Sequence, residues 1–202
     1  MDLSGAWARV GSILDEFYSK AYARISELFE SGECEGNYLA YSCFGVYNAL
    51  SYCAMMSFYT ILGNYAPRII ASFFSDVVAL PPVFSFEGTL LRDGRRYQVK
   101  VVVSRKSLNS VTKNRTVKDS VSYSNPVILT LDEDEAFGVQ ELTDKLRWYD
   151  AYQTWKLLTG DPYGLRIFRN MYRSRAREFR ESIRSLIKKY TDQKLKEINA
   201  RA

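Results

Sequence analysis

The chain contains no histidine. That absence removes the usual general base, the usual proton shuttle and the commonest zinc ligand. Glutamine is scarce, confined to Gln98, Gln140, Gln153 and Gln193. So few thermolabile amides fit a thermophile, or a virus or mobile element living in one. Cysteine is limited to Cys34, Cys43 and Cys53. An odd number without close pairing speaks against a secreted disulfide framework and for a reducing setting. Cys43 and Cys53 lie in an apolar run, where a free cysteine serves as a small core residue. No glycine-rich phosphate loop, internal repeat or low-complexity segment occurs, and the first thirty residues lack a signal-peptide pattern. The expected location is intracellular or within a virion.

What is present is a chain of 202 residues, 47% hydrophobic and rich in tyrosine (15). That is enough for one domain with a real core. The net charge of +5 hides alternating blocks: −4 over residues 1–35, +6 over 36–131, −5 over 132–162 and +8 over 163–202. Such blocks either dock on each other or drive assembly with further copies of the chain, so a homo-oligomer is expected.

Residues 1–35 read as an amphipathic helix over 3–30. Trp7, Val10, Leu14, Phe17, Ala21, Ile25 and Leu28 recur at steps of three and four. Residues 36–67 carry no charge. Gly63-Asn64 and Pro67 mark a break, and a second apolar segment runs from 69 to 80. The region 36–82 is therefore expected to be an apolar helical hairpin. Gly45, Ala49, Cys53 and Ser57 form a ladder of small side chains on one face, which admits close helix approach in water or in lipid. The expected role is a buried central helix. The alternatives are a membrane-embedded segment over 37–80, although its many tyrosines and serines make its hydropathy marginal, and an interface helix exposed in the monomer and covered in an assembly.

Residues 83–131 change character. Two strand-like runs, 84–91 and 96–103, flank Arg92-Asp93-Gly94-Arg95, a strong hairpin turn. A basic polar loop is expected over 104–119 and a short strand over 127–131. Together these give a small antiparallel sheet between N-terminal and C-terminal helices. In 132–202, the acids at 132–135 precede an expected helix over 139–158, where they favour its dipole. Trp148, Tyr152 and Trp155 are expected in a core or interface.

The final helix, about 57 Å long over 163–200, carries the clearest functional signal. Leu165, Phe168, Tyr172, Ala176, Phe179, Ile183, Leu186 and Tyr190 form a narrow apolar stripe. Arg166, Arg169, Arg173, Arg177, Arg180, Arg184 and Lys188 share an adjacent arc of about 100°. Most of them lack a carboxylate three or four residues away, so a solvated face laced by helix salt bridges does not explain the row. An arginine row can follow a phosphate backbone without reading sequence. Its other candidate partners are the acidic blocks 1–35 and 132–162, another copy of the chain, or an anionic membrane surface.

No nucleophile–base pair is visible. Asp93 with Gln98-Val99-Lys100 resembles the acidic hairpin motif of metal-dependent nucleases. Those enzymes need clustered carboxylates, whereas here Asp93 serves the turn and Gln98 stands in place of a second acid. The sequence thus points to a single α+β domain with no cofactor and no catalytic residue. It reads as a structural protein that self-associates and contacts nucleic acid through its basic C-terminal helix. A virion or nucleoprotein component would fit.

Overall fold

Helix α1 (Ser4–Glu30) forms where the apolar spacing places it, burying Val10, Leu14, Phe17, Ala21 and Ile25. The computed structural model describes residues 3–34, 43 and 45–201. Helix α2 (Val46–Ala71) follows. It runs through Pro67, where a break was expected. A proline inside a helix costs about 3 kcal/mol. Tyr65, Ala66, Ile69 and Ile70 around it are all buried, and each large apolar side chain returns about 1.5–3 kcal/mol. Tertiary burial therefore outweighs the local penalty.

The second half of the expected hairpin is not helical. After Ala71 the chain turns into strand β1 (Phe74–Ala79), so residues 69–80 divide between a helix end and a strand. The rest of the expected hairpin at residues 36–42 and 44 lies outside the described residues. No described helix is long and apolar enough to cross a membrane.

Strands β2 (Phe86–Leu90) and β3 (Arg96–Val102) pair antiparallel around the turn expected from the sequence. Gly94 adopts φ +69° there, a left-handed conformation that suits glycine. Asp93 accepts the Arg95 amide at 2.9 Å and closes the turn. Gly88 is fixed by contact: a Cβ there would lie 3.2 Å from the Ser75 carbonyl oxygen of β1.

Beyond β3 the expected polar loop is a crossover. A short 3-10 turn (Arg105–Ser107) leads to helix α3 (Ser110–Ser120), capped by Asn109, whose side chain accepts the Thr112 amide. Strand β4 (Pro126–Thr130) then returns parallel to β3. The expected helix over 139–158 is also corrected. Strands β5 (Val139–Glu141) and β6 (Arg147–Tyr149) form a small hairpin, and helix α4 spans only Ala151–Thr159. The α+β class holds, but the sheet is mixed and six-stranded, in the order β1-β2-β3-β4-β6-β5. Its strands extend into the region read as C-terminal helices, and a helix interrupts the region read as β. Helix α5 (Gly164–Arg201) closes the chain.

The chain divides into two units. The first, Met1–Ile13 with Gly63–Met171, contains the sheet. Trp155 is its largest fully buried side chain. It stacks on Trp7 (5.4 Å) and Phe168 (4.5 Å), meets Phe73 edge-on, and donates from Nε1 to the Leu131 carbonyl at 2.8 Å. A separate cluster of Val102, Leu108, Ile128, Leu146 and Trp148 packs with Val117 of α3.

The second unit, Leu14–Leu62 with Tyr172–Ala202, joins the remaining parts of α1, α2 and α5. Ile25, Leu28 and Phe29 pack with Val46, Leu50, Leu186 and Ile187. Helix α2 is not a fully buried central helix here: Tyr47, Tyr52, Met55, Met56 and Tyr59 are exposed. The cysteines also differ from expectation. Cys34 and Cys53 form a disulfide, with Cα atoms 5.8 Å apart, and Cys43 is free and exposed. The α1–α2 packing brings together two cysteines that are 19 residues apart in sequence.

Candidate nucleic-acid interface

Helix α5 begins after a sharp stop. Gly160 ends α4 in the left-handed region, and Asp161 accepts the Tyr163 amide at 2.7 Å. The apolar stripe then fixes the helix's rotation. In the first unit Leu165 and Phe168 are buried. In the second, Phe179, Ile183, Leu186 and Tyr190 pack into the helical core, and Phe179 lies 5.2 Å from Tyr18 and 5.5 Å from Phe58.

The cationic row sits beside this stripe, but its members are not equivalent. Arg166 is exposed in the first unit. Arg169 is only 19% exposed and is committed internally. Its Nε and Nη2 donate to Asp132 Oδ1 at 2.9 and 2.7 Å, and Nη2 also reaches the Glu133 carbonyl and Asp134 Oδ1. Burial alone would lower the Arg169 pKa, but the hydrogen bond and charge of Asp132, joined by Asp134, raise it overall. Asp132 and Asp134 are thus arginine ligands, and the run 132–135 does not precede a helix N-terminus. Arg175, off the predicted row, is similarly engaged, donating to both Asp15 carboxylate oxygens.

The other five, Arg173, Arg177, Arg180, Arg184 and Lys188, are all exposed. At 100° per residue they occupy an arc of about 80°, and they run about 22 Å along the helix. Among the described residues, Arg177 alone of the five forms an ion pair, with Glu181 at 3.7 Å, and both partners are open to solvent. Arg173, Arg180, Arg184 and Lys188 make no ion pair among the described residues. Next to the row lies an apolar groove of about 350 Å³, with Tyr18, Phe58 and Phe179 in its lining and Arg180 and Arg184 among the residues that bound it.

The nuclease-like hairpin is rearranged relative to the sequence reading. Asp93 accepts from the Tyr97 hydroxyl at 2.9 Å, and Tyr97 alternates with Gln98 and Lys100 along β3, so Asp93 serves the opposite face. The carboxylate that does meet Gln98 is Glu87, its cross-strand partner. Glu87 accepts from Arg96 at 2.6 Å and from Gln98 Nε2 at 3.1 Å, and these bonds, Arg96 first, lower its pKa. Gln98 Oε1 accepts the Asn125 amide. Lys100 shares that face, and burial, aided by the Arg115 charge, lowers its pKa. The hairpin register holds the signal for Glu87: a turn centred on 92–93 sets residue 87 opposite 98. One carboxylate with its partners satisfied does not fit a hard-cation site. Among the described residues no group of three or more metal-ligating side chains occurs.

No protein-family model matches the chain, and no curated protein matches it.

Proposed function

We propose that the chain binds nucleic acid without sequence selectivity, through Arg173, Arg177, Arg180, Arg184 and Lys188 of α5. The reading is that of a structural or nucleoprotein component. One observation carries it: five cations share one exposed helix face, and among the described residues only Arg177 is paired with a carboxylate. Like charges at that spacing repel, so an external polyanion stabilises the row. Arginine's planar fork suits phosphate oxygens. The exposed Tyr52, Met55, Met56 and Tyr59 on α2 support self-association as the second half of this reading.

The test is a binding titration over a salt series. If each of the five cations contacts one phosphate of duplex DNA, log K falls against log salt with a slope of about −4.5. Binding then weakens about 500-fold between 50 and 200 mM salt. Absence of binding at low salt, or binding indifferent to salt, refutes the reading. Light scattering with and without DNA reports self-association, and a strict monomer in both states removes that half.

A further inference from the structure

The first unit holds a polar cleft of about 370 Å³ beside the amino ends of β3 and β4, apart from the α5 row. Four cations line it from three segments: Arg92 and Arg95 from the β2–β3 turn, Lys145 from the bend before β6, and Arg147 from β6. Two tyrosines, Tyr97 and Tyr149, line it as well. Two carboxylates oppose the four cations, and one of them, Asp93, is already taken by the Tyr97 hydroxyl and the Arg95 amide. Arg92 donates to the Lys156 carbonyl at 3.2 Å, and Arg147 sits 3.5 Å from Glu141. The charged ends of Arg95 and Lys145 make no ion pair among the described residues. The Tyr97 hydroxyl is pushed up to about 12, first by burial and then by Asp93, so it stays a neutral donor at any physiological pH.

The cleft therefore combines an excess of positive charge with aromatic walls. Its volume falls in the range of small-ligand sites, about 300–1,000 Å³. A phosphate answers the unpaired cations, and a planar ring answers the tyrosine faces, which stack on any base without reading its identity. A sugar phosphate would use only the first half of this lining. We infer that the cleft is a mononucleotide-binding site, with the phosphate held by Arg95, Lys145 and Arg147 and the base against Tyr149 or Tyr97.

Calorimetric titration of the full chain with AMP, adenosine and inorganic phosphate tests this. The expected result is saturable AMP binding, with adenosine and phosphate each weaker by roughly tenfold or more. The double variant Arg95→Ala/Lys145→Ala, at exposed turn positions, weakens AMP by a similar factor. Should that variant misfold by circular dichroism, Lys145→Glu alone provides the same readout. Arg180→Ala/Arg184→Ala leaves AMP affinity unchanged, which separates this cleft from the α5 row. Phosphate binding as tightly as AMP, or AMP affinity indifferent to the cleft variants, overturns the inference. Either result leaves the salt-dependent DNA binding of α5 untouched.

Discussion

Arg169 and Arg180 lie on the same predicted stripe, yet only Arg169 is engaged by carboxylates among the described residues, and a pair of alanine variants separates the two positions. Arg169→Ala removes two hydrogen bonds to Asp132, one to the Glu133 carbonyl and one to Asp134. The Asp134 contact counts for little because that carboxylate is 99% exposed. The Asp132 contact counts for more, since the guanidinium is mostly buried and its loss leaves a half-buried carboxylate without its cation. Breaking a fully buried pair costs about 3–5 kcal/mol. Discounted for the partial exposure of Asp132, the expected cost is about 2 kcal/mol, which lowers the melting temperature by about 4–8 °C in a chain of this size. Arg180→Ala breaks no ion pair among the described residues and should change stability by no more than about 0.5 kcal/mol. Nucleic-acid binding should show the reverse. Arg180→Ala reduces the salt slope by about one, whereas Arg169→Ala leaves affinity unchanged below its melting temperature. Calorimetric melts and salt-series titrations on both proteins decide the matter. An Arg169→Ala protein that melts like the parent but binds DNA more weakly would refute the reasoning, because Arg169 would then face the ligand.

The disulfide makes a second expectation. Closing a loop of about 20 residues restricts the unfolded chain by about 3 kcal/mol, so Cys34→Ser/Cys53→Ser should melt well below the parent, and reductant should lower the parent's melting temperature while leaving the variant's unchanged; three free thiols per denatured, unreduced chain would contradict the pairing. A third expectation concerns acid. The hydrogen bond from Arg175, with its charge, holds the Asp15 pKa below its ordinary value. A carboxylate with a depressed folded pKa contributes stability that is fully present above the unfolded value of about 3.9 and is lost as pH falls through the folded one. Asp15→Asn should therefore cost at most about 1 kcal/mol near neutrality, since the carboxylate is largely exposed, and the difference from the parent should shrink as pH falls below the unfolded value and through the folded one; a difference that acidification leaves unchanged refutes the ion pair. Fourth, Gly164→Ala places a Cβ 2.7 Å from Thr159 Oγ1 and 3.1 Å from the Trp155 carbonyl, and it should destabilise by about 1–3 kcal/mol in a denaturant titration.

Periodicity explains which elements were legible in the sequence. Helices α1 and α5 bury long apolar stripes at helical spacing, and the β2–β3 hairpin carries period-two alternation around Asp93-Gly94. Helix α3 carries neither signal. Its fully buried side chains are Thr116 and Ser120, whose hydroxyls donate to the Thr112 and Val117 carbonyls of the same helix. Self-satisfied polar residues can line a core, but they read as loop, and without α3 the parallel return of β4 was invisible. Strands β5 and β6 have three residues each, too short for a period to register. Leu142, Leu146 and Tyr149 happened to match helical spacing, but Asp150 is the true boundary. It caps α4 by accepting the Gln153 amide and also accepts the amides of Phe137 and Gly138.

The candidate site shows the same division between a pattern and its partners. Helical spacing alone put seven cations on one arc, and all seven fall within helix α5. Which of them remain available to a ligand depends on residues far away in sequence: Asp132 lies 37 positions from Arg169, and Asp15 lies 160 from Arg175. Net charge by block could not separate these cases, because among the described residues each acidic block engages an arginine of α5, Asp132 with Arg169 and Asp15 with Arg175. The block 132–162 takes Arg169 from the row; the block 1–35 takes Arg175, which was never on it. What survives is a row from Arg173 to Lys188 whose charge exceeds what its neighbours supply. A polyanion would act on that excess, so charge removed from these five positions should change ligand affinity far more than fold stability.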